Sequence, residues 1–176
     1  APKEETQATI QGISAQERTL LYILLHYGTH SLTKDKLVGT YLFEELAEIS
    51  LTTPIYKTLL EKFKQQWQKR GKITGTDFLK QATEEIKKEA IEVMAQPHAI
   101  GEWEKYYQIS LPKEEEKLAQ WCFKSILYLK LKLGQQLIAN NRKALQAVTS
   151  QEEEEKLLAV HQALQNTVVK IAQTLG

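Results

Sequence analysis

The sequence predicts an all-α protein: a helical bundle followed by a long helix and a C-terminal antiparallel helical hairpin. Three observations predict it. Helix-start signals recur along the chain, each followed by apolar residues at spacings of three and four. After Pro112 there is no further Pro, and Gly134 is the one Gly before the terminal Gly176. No stretch alternates apolar and polar side chains over a strand's length.

Residues 1–13 are polar and without periodicity, and read as a mobile linker to something upstream. A start at Ala1 rather than Met implies a piece of a longer protein. Ser14 and Glu17 form a capping-box pair that opens a helix through Leu20, Leu21, Leu24 and Leu25 to a stop at Gly28. Apolar residues cover most of its circumference, so it is the expected core helix of a bundle spanning 14–111. His26 and His30 flank its end with Gly28 between them and no third ligand nearby, which favours partly buried or surface histidines over a metal pair.

A second helix is predicted over 36–49, with Leu37, Tyr41, Leu42, Leu46 and Ile49 inward. Thr53-Pro54 is a start signal for a third, carrying Ile55, Tyr56, Leu59, Leu60, Phe63 and Trp67 to a stop near Gly71. The lysines of its outer face read as a solvated surface, because Glu61 interrupts them and the net charge is only +1. Short helices follow around Phe78, after Thr83, and around Trp103, Tyr106 and Tyr107.

Pro112 opens the last region, 112–176. An uninterrupted helix is predicted from Pro112 to Val148, about 55 Å long at 1.5 Å per residue. Thr149-Ser150-Gln151 breaks it, and Ser150 with Glu153 makes a capping box for the final helix. Leu157, His161, Leu164, Val168, Ile171 and Leu175 form a stripe on that helix; Gly134, Ile138, Asn141, Leu145 and Val148 form one on the helix before it. Aligned about the turn, Leu145 faces Leu157, Asn141 faces His161, Ile138 faces Leu164, and Gly134 faces Val168. Gly134 permits close approach, at about 1 kcal/mol of helix propensity. It is also the expected place for a bend. The two polar seam residues share one layer and read as a device that fixes register rather than as a site.

The composition narrows the function. Near-neutral charge argues against direct nucleic-acid binding through many phosphates. One cysteine, Cys122, excludes an internal disulfide. The longest apolar run, Leu20–Leu25, is too short to span a membrane, and a cytoplasmic location is the default. No phosphate loop, zinc-protease or serine-hydrolase motif occurs, and Asp is confined to Asp35 and Asp77, so no enzyme, metal or cofactor is predicted. Glu152–Glu155 diverge around a helix start, where they favour the macrodipole instead of converging on a cation.

The order of pieces resembles the C-terminal helicase-binding domain of bacterial DnaG-type primases. The likeness lies in E-R-T-L-L-Y-I-L-L-H-Y-G (Glu17 to Gly28), Y-L-F-E-E-L (Tyr41 to Leu46) and T-P-I-Y-K-T-L-L-E-K-F (Thr53 to Phe63). W-E-K-Y-Y (Trp103 to Tyr107) and L-K-L-K-L-G-Q-Q-L-I (Leu129 to Ile138) extend it over nearly the whole chain. The resemblance implies a non-catalytic domain whose hairpin docks on the N-terminal domains of the hexameric DnaB-type helicase. The zinc site and polymerase core of the primase would then lie upstream.

On this expectation the apolar residues off the hairpin seam make the contact, with Leu137, Leu158, Val160, Val169, Ile171 and Leu175 as the partner-binding set. Two alternatives are a self-associating helical scaffold, whose off-seam residues meet a second copy, and the related N-terminal domain of a replicative helicase.

Overall fold

The computed structural model describes residues 2–95 and 114–176. Among them the chain is all-α apart from one small β-hairpin. Its elements are α1 (Pro2–Tyr27), β1 (Ser31–Thr33), β2 (Lys36–Leu37), α2 (Val38–Glu48), α3 (Pro54–Arg70), α4 (Gly75–Leu79), α5 (Glu84–Met94), α6 (Glu114–Ala147) and α7 (Gln151–Leu175). They divide into two compact units, Ser14–Ile126 and Ala1–Ile13 with Leu127–Gly176. The expected division at Pro112 therefore moves into α6. The reason is burial: Leu118, Trp121, Cys122, Ser125 and Ile126 on the first turns of that helix lie in the core of the first unit.

In the Ser14–Ile126 unit, Leu20 to Leu25 of α1 are all buried, as expected of a central helix. Phe63 of α3 joins Phe43 (ring centroids 6.1 Å apart) and Phe78 (5.2 Å) in an aromatic cluster. Trp67 adds an edge-to-face contact with Phe43 at 5.5 Å. Gly39 opens that corner, since a Cβ there would lie 2.7 Å from the Trp67 ring and 3.0 Å from the Gly28 carbonyl. Trp121 packs edge-to-face on Tyr27 at 5.7 Å. His26 is partly buried, with Nε2 3.0 Å from the Met94 carbonyl oxygen, and His30 is exposed.

Several boundaries depart from the sequence expectation. Residues Pro2–Ile13 are helical rather than linker, and α1 starts at Pro2, a residue whose fixed φ and missing N–H suit a first helical turn. Ser14 and Glu17 consequently open nothing. The Glu17 side chain, fully buried, instead accepts from the backbone N–H of Thr52 (3.0 Å) and of Thr53 (3.2 Å) and from both hydroxyls (2.7 and 3.2 Å). It thereby serves the start of α3 from another helix, while Thr53, at the N-cap position, makes no side-chain cap bond of its own.

Residues Lys36 and Leu37 form β2 rather than the first turn of a helix, pairing antiparallel with β1 as Ser31 with Leu37 and Thr33 with Lys36. These strands are three and two residues long, too short to show a period of two. Thr74 and Asp77 form a reciprocal capping box on α4, which holds the exposed Asp77 carboxyl below its usual value through the Thr74 backbone N–H and hydroxyl. The expected helix around Trp103, Tyr106 and Tyr107 lies outside the described residues.

Candidate interaction surface

The hairpin follows the predicted seam. α6 runs unbroken through Gly134, so the expected bend does not interrupt the helix, and Ser150 Oγ accepts from the Glu153 N–H at 3.5 Å where α7 begins. A Cβ placed on Gly134 would stand 2.7 Å from Val168 Cγ2, which confirms both the register and the close approach. Asn141 Nδ2 donates to the Leu157 carbonyl at 2.9 Å. That carbonyl belongs to the helical turn ending at His161, because residue i accepts from residue i+4. Asn141 and His161 thus share a layer, yet only half of the expected satisfied pair forms: His161 Nδ1 is buried with no hydrogen-bond partner.

The seam is thin. Beyond Leu129 the single buried residue is Asn141, at 8% exposure, and α7 buries none. Leu157, His161, Leu164, Val168, Ile171 and Leu175 are all half-buried, as are Gly134, Ile138, Leu145 and Val148 opposite them. Each helix of a pair covers one side of the other only, which leaves the seam residues half-buried.

Leu137, Leu158, Val160 and Val169 stand about half exposed, at 52%, 51%, 49% and 52%. Ile171 and Leu175 are instead half-buried members of the seam. The exposed four do not form one patch. Successive residues turn by about 100°, which sets Leu158 and Val169 about 100–120° to one side of the α7 seam and Val160 about 60° to the other. Leu137 lies about 60° off the α6 seam in the same sense as Val160. A two-fold axis relates antiparallel helices, so equal rotations fall on the same side of the hairpin. One side therefore carries Leu158 and Val169 among Gln135, Arg142, Gln162 and Gln165. The other carries Leu137 and Val160 with Leu133, Asn140, Ala144, Ala163, Thr167 and Lys170. Sequence reading named the exposed residues without separating them, although a turn of about 100° per residue around the predicted seam already places them on two sides.

Elsewhere, Cys122 is buried and burial pushes its thiol up to about 12. Tyr41 packs edge-to-face on Phe123 at 5.2 Å, and burial, then Glu45, raise its phenol. Exposed Ile91 lies in a shallow surface between Glu84, Glu85, Lys87, Lys88 and Glu92. Among the described residues no group of three His, Cys, Asp or Glu converges to hold a metal, and no helix is long and apolar enough to cross a membrane.

A family model described as a domain of unknown function (DUF8430) matches residues 2–176, so the chain belongs to that family. No curated protein and no solved structure matches it.

Proposed function

We propose that this DUF8430 domain is a non-catalytic interaction domain of a DNA primase, cytoplasmic, which docks through its helical hairpin on the N-terminal domains of a DnaB-type replicative helicase. It would couple primer synthesis, by a polymerase domain upstream in the same protein, to unwinding at the fork. The observation that carries the reading is the side of the hairpin bearing Leu158 and Val169. Two half-exposed apolar side chains three helical turns apart, set among amides and Arg142, match the composition of a heterotypic docking face: apolar anchors with polar groups around them. The thin seam supports it, because a partner that covers this side would also complete the burial of Leu157, Leu164 and Val168. The likeness of Glu17–Gly28 and Leu129–Ile138 to the primase domain supplies the identity of the partner.

The test is capture of the chain on the immobilised N-terminal domain of such a helicase. Leu158→Asp and Val169→Asp should each weaken binding about tenfold or more, the loss of roughly 1.4 kcal/mol, with helicity unchanged. Failure of the unaltered chain to bind sinks the helicase reading. Binding that survives both substitutions moves the contact off this side.

A further inference from the structure

We infer that the solvent face of α3 binds double-stranded DNA along its phosphate backbone, without reading base sequence. The inference uses the Ser14–Ile126 unit alone and is independent of the helicase contact on the hairpin.

A net charge of +1 conceals a segregation. From Ile49 to Thr76 the one acid is Glu61, while Lys57, Lys62, Lys64, Lys69, Arg70 and Lys72 carry six positive charges. That stretch is +5, six minus one, so the remaining residues together are −4. Buried Tyr56, Leu59 and Phe63 fix the inward side of α3. Lys64 is half-buried and the other five cations are exposed.

Helix stability does not account for these charges. Acids favour a first turn and cations a last one, and α5 and α7 open accordingly with Glu84, Glu85 and Glu152–Glu154. Lys69 and Arg70 in the last turn of α3 obey the same rule. Its first turn, however, holds no acid, and Lys57 is its fourth residue. The carboxylate at that start is Glu17 of α1, wholly buried and engaged by Thr52 and Thr53, so the outer face keeps its positive charge. Glu61 lies four residues from Lys57 and three from Lys64. Even so, none of the six cations pairs with a carboxylate among the described residues. Lys36 and Lys156, by contrast, each hold a glutamate, at 2.6 and 3.1 Å.

What the face lacks identifies its ligand. A protein partner needs apolar anchors, and the large exposed apolar residues lie on α5 and the hairpin. Single-stranded nucleic acid stacks its bases on aromatic side chains, but Phe63 and Trp67 turn inward and pack on Phe43. Duplex RNA is recognised through its 2′-hydroxyls; the hydroxyl on this face, that of Thr58, already donates to the Pro54 carbonyl at 3.0 Å. The exposed amides of Gln65 and Gln68 stand among the lysines, and amides with Lys and Arg are groups that hold phosphate oxygens. Lys57 to Arg70 spans about 20 Å of helix. One strand of duplex DNA presents about six phosphates over that length, against five cations.

Fluorescence anisotropy of a labelled DNA duplex, titrated with the 176-residue chain between about 50 and 200 mM salt, tests the inference. The expected dissociation constant is about 10⁻⁴–10⁻⁶ M at the higher salt, with a log–log salt slope of about −4 to −5 for five phosphate contacts. Lys62→Glu with Lys69→Glu should weaken binding about tenfold or more and make the slope shallower by about two. Lys156→Glu with Lys170→Glu, the same change of net charge placed on the hairpin, should leave affinity within about twofold, since those lysines are outside the contact. No binding at the lower salt overturns the inference, and so does an equal loss from the two double variants. Tighter binding of single-stranded DNA or of duplex RNA of the same length overturns it too, as does displacement of the duplex by polyglutamate at equal charge concentration, the mark of an acidic protein partner. Should charge reversal reduce helicity, Lys62→Gln with Lys69→Gln is judged by the same criterion. Helicase capture without DNA binding defeats this inference and leaves the proposed function standing; DNA binding without helicase capture does the reverse.

Discussion

The Ser14–Ile126 unit and the hairpin after Leu127 are built from the same helix signals yet are held in opposite ways. In the first, seven consecutive residues of α1, Thr19 to Leu25, are buried and Phe63, Phe78 and Trp121 have no exposed surface at all. In the second, the most enclosed side chain past Leu129 is an asparagine. A bundle surrounds its central helix with neighbours, so hydrophobic burial dominates its stability. A hairpin holds its two helices together by close approach and one buried polar contact. It leaves apolar side chains half exposed on both sides.

This contrast breaks most readily at Trp121. Trp121→Ala empties a fully buried site and should cost about 3–5 kcal/mol in urea unfolding, against a change within about 0.5 kcal/mol for the exposed Leu158→Ala. Equal effects would mean the two regions are not held differently.

Next is Glu17→Ala. It leaves the N–H groups of Thr52 and Thr53 without their acceptor, and loss of charge-assisted hydrogen bonds on this scale costs about 3 kcal/mol. Glu17→Gln, which keeps an acceptor oxygen, should recover part of it. A neutral Glu17→Ala would show that α3 caps itself.

Within the hairpin the effects shrink. Gly134→Ala gains about 1 kcal/mol of helix propensity. It also drives a methyl to within 2.7 Å of Val168 Cγ2, an overpacking cost of about 1–3 kcal/mol on a stiff β-branched neighbour. The net expectation is a loss of about 1 kcal/mol, recovered in Gly134→Ala with Val168→Ala. A stabilised single variant would mean the helices can separate freely at that level.

The smallest change is expected from replacing Asn141 and His161 together by Leu. It trades one hydrogen bond and one unpartnered ring nitrogen for apolar packing, so the thermal midpoint should hold or rise while the register loosens, read by exchange broadening of hairpin amides. Unfolding of that variant would give the polar layer a stabilising role it does not have in this account.

The seam was legible because it is written locally. Residues at spacings of three and four on two helices joined by three residues declare which sides meet, and Gly134 opposite Val168 follows from counting outward from the turn. The half-exposed Leu137, Leu158, Val160 and Val169 were legible for the same reason, as apolar residues left off the stripe. Glu17 was not, because its partners Thr52 and Thr53 lie 35 and 36 residues away, and its local neighbour Ser14 offered a plausible cap instead. The short β-hairpin carried too few residues to show a period.

By itself, then, the sequence determined the helices, their stripes and the pairing of the last two, since each depends on contacts within a few turns of chain. Tertiary structure decided where α1 begins, which helix start Glu17 serves, and that the core takes in α6 as far as Ile126. Those outcomes depend on long-range approach in space, which spacing along the chain does not encode.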